Sequence, residues 1–364
     1  MTTVADGAIG RLRRSRARLI AYAAAVVVAI LALYVLLPRV GGLDETWGRL
    51  QDGDPGWIAL AAVLELGSYA GYVLLLRTVG GGPELRLSWP ATWRLTLAGV
   101  AASRLLATAG AGGIALTAWA LGRMGLGARE ITARMATFFV LLYGVFMGAL
   151  VVAGLGLSAG WFGGPAPFGM TVVPALFGAA VISAALALAL LPPQLDRHVT
   201  RATDANGSRV GRIAHLAATL PAALGAGVRG AIGLVRARDP ALLGALVWWT
   251  CDILVLWAAL RAFGAAPPAA VLVMSYFVGQ LGNTLPLPGG IGGVEGGLVG
   301  ALVAFGQPAG LALAAVLTYR AFAFWLPIIP GAIAYVRLTR ELGRPERLSA
   351  APRSVARGPR TENC

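Results

Sequence analysis

Long apolar runs alternate with short polar segments along this chain. A membrane-spanning helix needs about 20 mainly apolar residues. Runs of that kind occupy 19–38, 56–76, 132–157, 170–192, 240–260 and 309–336. The first exceeds the roughly 7–15 apolar residues of a signal-peptide core. No small-residue cleavage site with a polar chain behind it follows, so a retained span is expected. Two further apolar stretches, 92–122 and 269–305, are interrupted. The first breaks at Ala109-Gly110-Ala111-Gly112-Gly113, the second between Asn283 and Gly293. The flanking pieces are about 10–17 residues, and at about 1.5 Å per residue most cannot cross a hydrocarbon core of roughly 30 Å. Gly at the first break, and Gly with Pro at the second, disfavour a continuous helix. Each stretch therefore reads as a helix–break–helix hairpin that enters and leaves on one side. Backbone of that kind is tolerated at depth only inside protein or beside a water-filled cavity.

Composition supports a membrane protein. Of 364 residues, 57% are hydrophobic and 13% charged, against about 25% charged in soluble domains. Mean hydropathy is +0.74. A disordered chain and a disulfide-stapled module are both excluded, the latter because there are only two Cys. All 30 basic residues are Arg. The lack of Lys excludes a P-loop Lys, a Schiff-base Lys and a Ser–Lys dyad.

The net charge of +14 changes the picture through its placement. Arg residues gather in segment 1–18, in the loop 193–239 and in the C-terminal tail. Those are positions governed by the positive-inside rule, so nucleic acid is not an expected partner. With both tails in the cytoplasm, Arg77, Arg86, Arg94, Arg123, Arg129 and Arg134 and the seven Arg of 193–239 all fall inside. The loop 39–55, with two Arg and four acids, falls outside. Two halves result, 19–157 and 170–336, each ordered span, span, hairpin, span and starting on opposite sides. That is an inverted repeat, an architecture of transporters. The expected fold is all-α: a polytopic helical membrane protein with about six spanning helices and two re-entrant hairpins. Within the loop, Leu216, Leu220, Leu224, Val228, Ile232 and Val235 recur three or four apart, which predicts an amphipathic cytoplasmic helix kinked at Pro221. The tail 341–364 reads as disordered.

Ionisable groups inside spans are costly and mark function by default. They are Glu65, Arg104, Asp252, Glu295 and Arg320. Arg320 lies too deep in its span to snorkel. It binds an anion, or pairs with Glu295 or Asp252, or does both. Glu65 and Asp252 occupy the second span of each half and serve as structural acids or as proton sites. A helix restarting near Val294 would aim free N–H groups and a positive dipole end at the protein centre, suited to a phosphate. Close packing of Gly293, Gly297 and Ala301 is the competing explanation of that Gly pattern. His198 and His215 have no partner cluster, and no zinc spacing, nucleophile elbow or dinucleotide fingerprint occurs. No metal or cofactor is expected, and no enzyme activity.

The run from Gly282 and Asn283 through Pro288, Gly289 and Gly290 to Glu295 stands out, with Tyr319-Arg320 and Phe324-Trp325-Leu326-Pro327 after it. It resembles the lysylphosphatidylglycerol synthase transmembrane-region family, the flippase-like membrane domain of the multiple peptide resistance factor. The resemblance covers about 19–340. It implies a helical bundle with re-entrant helices that moves lipids between leaflets. Its Pro-Gly-Gly–Glu and Tyr-Arg motifs fall on Pro288, Gly289, Gly290, Glu295, Tyr319 and Arg320. The soluble aminoacyltransferase domain of full-length synthases is not in this chain, so lysyl transfer is not expected of it. The first hairpin also lacks the Pro that analogy would place there.

The reading is an inner-membrane flippase or scramblase for a phosphate-bearing lipid, either aminoacylated or polyprenyl-phosphate-linked. Arg104 and Arg320 would take the phosphate, and Glu295 and Asp252 a cationic group or the Arg side chains. Asn283, Gly289, Gly290 and Tyr319 complete the expected site. The alternatives are a proton-coupled carrier of a small anion, and a membrane subunit for a separately encoded lipid-modifying enzyme. A homo-oligomer is compatible with any of these.

Overall fold

The computed structural model describes residues 52–81, 85–105, 111–190, 209–265, 267–284 and 291–342. The predicted span 19–38, segment 1–18 and most of the tail 341–364 lie outside the described residues. The described residues form helices and no strands: α1 Pro55–Gly80, α2 Trp89–Leu105, α3 Ala111–Arg123, α4 Ala128–Ser158, α5 Phe168–Leu190 and α6 Arg209–Arg236. They continue with α7 Ala241–Ala262, α8 Ala269–Gln280, α9 Gly293–Ala304, α10 Ala309–Arg320 and α11 Ile328–Leu342. Five helical runs among them are long and apolar enough to cross a membrane. Leu176, Phe177, Val181, Leu186 and Leu190 of α5 are all exposed, a face that lipid rather than water must cover.

Local chemistry sets the ends of α1. Asp54 accepts the Gly56 N–H at 2.7 Å, and Pro55 occupies the first turn. At its other end the Arg134 guanidinium donates to the carbonyls of Gly80 and Gly81 and to Glu130. These are carbonyls that a helix terminus leaves without intrahelical partners.

α1 and α7 run antiparallel and cross at glycine. A Cβ on Gly71 would lie 2.5 Å from Trp248 N and 2.8 Å from Gly244 O; one on Gly244 would lie 2.7 Å from Leu75 N. Ser68 Oγ donates to the Trp248 carbonyl at 3.1 Å beside the crossing. Without a hydrophobic force between helices in lipid, this close backbone approach is what joins them.

Each interrupted stretch is a helical hairpin. α2 and α3 have 17 and 13 residues, α8 and α9 have 12 each, all short of a crossing. In the second hairpin Gly279 faces Gly297 and Leu298, while Gly282 faces Gly293. In the first, the Gly113 N–H donates to Ser103 Oγ at 2.9 Å.

Contacts with the last rod, 33 residues from Ala309 to Glu341, fix the level of α2 and α9. α2 runs against α11: Arg94 pairs with Glu341 at 2.9 Å, Gly331 packs on Leu97 and Ala101, and Arg104 reaches Ala323 and Phe324. α9 begins at the level of Arg320 and returns toward Ala309. α2 and α9 therefore reach residues 320–324 from opposite ends of the rod, through Arg104 and Glu295.

That rod is not the plain span predicted over 309–336. It opens into a π turn at Ala321–Trp325, where the Leu326 N–H donates to the Ala321 carbonyl at 2.9 Å. The reason is Pro327. It has no N–H for the carbonyl four residues back, at Ala323. The loop helix forms as predicted, with Pro221 inside it, and Gly225, Gly227 and Gly230 sit against Leu188, Ala136 and Thr137. These glycines are its docking face, while Leu224 and Val235 are exposed.

Candidate functional site

Midway along the rod, six helices bring polar side chains to one cavity of about 280 Å³, Tyr143 of α4 among them. Glu65 comes from α1, Arg104 from α2, Asp252 from α7, Tyr276 and Gln280 from α8, and Tyr319 and Arg320 from α10. Asn283 lies at the turn of the second hairpin, exposed within the same lining. Glu65, Asp252, Glu295 and Arg320 are 5%, 6%, 2% and 5% exposed. So many ionisable groups at that depth persist only when paired.

Arg320 Nε donates to Glu295 Oε1 at 2.8 Å. Glu295 Oε2 accepts the Gly292 N–H, also at 2.8 Å. Gly292 has φ 84°, a left-handed backbone that glycine adopts without strain. Glu295 is thus fully engaged as the cap of α9 and the counter-ion of Arg320. Glu295 pairs with Arg320 here, one of the two roles expected of it. Arg320 Nη2 is buried without a hydrogen-bond partner, so one face of its guanidinium remains to recruit an anion.

Arg104 donates to the carbonyls of Ala323 (2.6 Å) and Phe324, and to Tyr69 Oη at 3.3 Å. The first of those carbonyls is the one that Pro327 deprives of its helical partner. The guanidinium carbons of Arg104 and Arg320 lie 4.7 and 4.1 Å from the Phe324 ring centroid. Both predicted Arg residues therefore converge on one aromatic ring.

Asp252 Oδ2 accepts from Tyr276 and from Tyr319, the latter at 3.0 Å. Glu65 lines the same cavity as Asp252, and its buried Oε2 has no hydrogen-bond partner. Gly289 and Gly290, expected to supply backbone donors, lie outside the described residues. The remaining predicted site residues, Arg104, Asp252, Asn283, Glu295, Tyr319 and Arg320, with Glu65, are brought together. Sequence reasoning overlooked Gln280, Tyr276, Tyr143 and Trp248. Gln280 was legible as an uncharged polar residue inside an apolar run. The aromatics carried no signal that separated them from packing.

A second cavity of about 290 Å³ adjoins the first and shares Ser103, Arg104, Tyr143, Trp248 and Trp249 with it. Its other lining is mainly apolar, including Leu76, Leu95, Ile114 and Phe138. Ile114 and Tyr143 are exposed. A charged chamber and an apolar one are thus in contact through Arg104.

Residues 22–331 match the family described as the Lysylphosphatidylglycerol synthase TM region. Two similar proteins of Methanothermobacter thermautotrophicus are each named UPF0104 membrane protein. One is 35% identical over 95 residues, 26% of this chain and 27% of that protein. The other is 32% identical over 117 residues, 30% of this chain and 35% of that protein. The matched stretches span about a third or less of these relatives.

Proposed function

The chain belongs to the lysylphosphatidylglycerol synthase TM region family, and from that premise we propose that it carries a phosphate-bearing lipid between the leaflets of the cell membrane. The observation that supports this is the pair of joined cavities, one charged and one apolar. A lipid has the same division. The phosphate sits between Arg320 and Arg104, and the adjoining apolar cavity, with Ile114 and Tyr143 exposed, leaves the chains in contact with lipid. An aminoacylated phospholipid and a polyprenyl-phosphate-linked sugar both fit that description. The protein acts as a carrier rather than an enzyme, with membrane lipids as its partners.

In this reading the hairpins α2–α3 and α8–α9 are re-entrant, from the cytoplasmic and the outer side respectively, and both tails are cytoplasmic. Such an arrangement requires the breaks at mid-depth to be enclosed by protein or to border a water-filled cavity. Cys placed at Ala111 or Leu285, in a chain with Cys251→Ser and Cys364→Ser, tests it with membrane-impermeant maleimide. Ala111→Cys should label from the cytoplasmic side and Leu285→Cys from the outside. Labelling of Leu285→Cys from the cytoplasm alone overturns the inverted arrangement.

Lipid movement itself is tested in proteoliposomes holding head-group-labelled phosphatidylglycerol or a labelled polyprenyl phosphate, with dithionite added outside. The protein should render nearly all of one labelled lipid accessible, against about half in protein-free vesicles, where only the outer leaflet is exposed. Protection of half of every lipid overturns the proposal. Uptake of inorganic phosphate by the same vesicles would then favour the small-anion reading.

A further inference from the structure

Glu65 and Asp252 are not needed to hold the two guanidiniums. Arg320 has Glu295, and Arg104 has two carbonyls and Tyr69. Yet the two acids lie one on each helix of the α1–α7 crossing, both buried, in the wall of the same charged cavity. Two carboxyls that share one buried cavity and interact strongly bind and release protons as a unit. The groups facing them are Tyr69 on α1, Cys251 on α7, Arg104 on α2, Tyr276 on α8, and Tyr319 and Arg320 on α10. Tyr143 of α4 lines the same cavity.

A polar line leads out from the pair. The Tyr319 hydroxyl donates to Asp252 at 3.0 Å. Gln280 Nε2 donates to Tyr319 Oη at 3.1 Å, and Asn283 Nδ2 donates to Gln280 Oε1 at 2.8 Å. Asn283 is exposed. A continuous line of hydrogen bonds thus joins Asp252 to the exposed Asn283.

Resting on the lipid-carrier reading, we propose that the Glu65–Asp252 pair is a proton site that couples lipid transport to proton movement, one proton travelling with each phosphate. The sign follows from charge. Arg320 and Glu295 cancel. Arg104 is balanced when the acid pair retains one proton and so carries a single negative charge. A second proton leaves the chamber with one excess positive charge, which a phosphodiester anion neutralises. Loss of that proton restores balance and favours release of the anion. By linkage the effect is reciprocal: phosphate binding draws in a proton, and affinity rises as pH falls. The loaded chamber is neutral, so the transport step carries no net charge.

The test uses the full chain in proteoliposomes with labelled phosphatidylglycerol. A pH gradient, acid outside, should bias the label into the inner leaflet, toward about tenfold per pH unit at one proton per lipid. An ionophore that exchanges protons for potassium should abolish the bias. A potassium–valinomycin potential alone should produce none. Glu65→Gln should reduce the ratio of gradient-driven to gradient-free movement to unity, and Glu65→Asp should restore it. Pyranine trapped inside reads proton uptake independently of any variant's folding. Rapid lipid movement in wild type with no gradient bias and no lipid-dependent pyranine response overturns the coupling and leaves the carrier reading standing. No lipid movement under any condition overturns both.

Discussion

Arg320→Ala is expected to reduce labelled-lipid movement to the protein-free leak and to destabilise the fold by about 3–5 kcal/mol, the usual cost of breaking a buried pair. The substitution strands the Glu295 carboxylate, which is 2% exposed. It also removes the buried Nη2 that has no protein partner. Stability and transport would fall together, so the single variant does not separate the two roles. The double variant Arg320→Ala with Glu295→Gln does. The amide carries no charge, and its oxygen can still accept the Gly292 N–H. Thermal stability should recover most of the loss while lipid movement stays at the leak rate. Restored transport in the double variant would mean that Arg320 is only a counter-ion, and the phosphate site would have to lie elsewhere. Thermal melting in detergent and the dithionite assay on the same preparations decide this.

Gly71→Ala should be nearly as damaging, although it adds one methyl group. Its Cβ would stand 2.5 Å from a backbone nitrogen and 2.8 Å from a backbone oxygen of α7. Backbone cannot swing aside as a side chain can. The helices must separate, at a cost of the order of 1–3 kcal/mol or more. Separation also shifts Glu65 relative to Asp252, since both sit on the crossing pair. Size-exclusion profile, melting temperature and lipid movement should all deteriorate. Gly148→Ala is the matched control, because a Cβ there meets nothing within 4 Å. Wild-type behaviour of Gly71→Ala would contradict the packing of α1 on α7.

The two variants also show where sequence reasoning reached and where it stopped. Helices such as Ala241–Ala262 and Phe168–Leu190 were legible because lipid imposes a length and a composition on whatever crosses it. The second interruption was legible because Gly and Pro break helices whatever surrounds them; the first was legible only in part, since Ala111, Gly112 and Gly113, expected in the break, open α3. The buried charges were legible as a set, since an ionisable residue in an apolar run is conspicuous anywhere.

The pairings were not. Arg320 had two candidate acids within the spans, and nothing along the chain chose Glu295 over Asp252. The choice follows from the start of α9, where Glu295 caps Gly292 and turns its other oxygen to the rod. Pro327 was in plain view, but its consequence was not: the carbonyl it leaves without a partner is taken by Arg104, distant in sequence. Gln280 and Tyr276 gained meaning only when α8 folded against α7. Periodicity and composition report how each segment meets its solvent, which is a local property. Partner choice among buried polar groups depends on which helices touch and at what level, and close glycine contacts between distant segments set that.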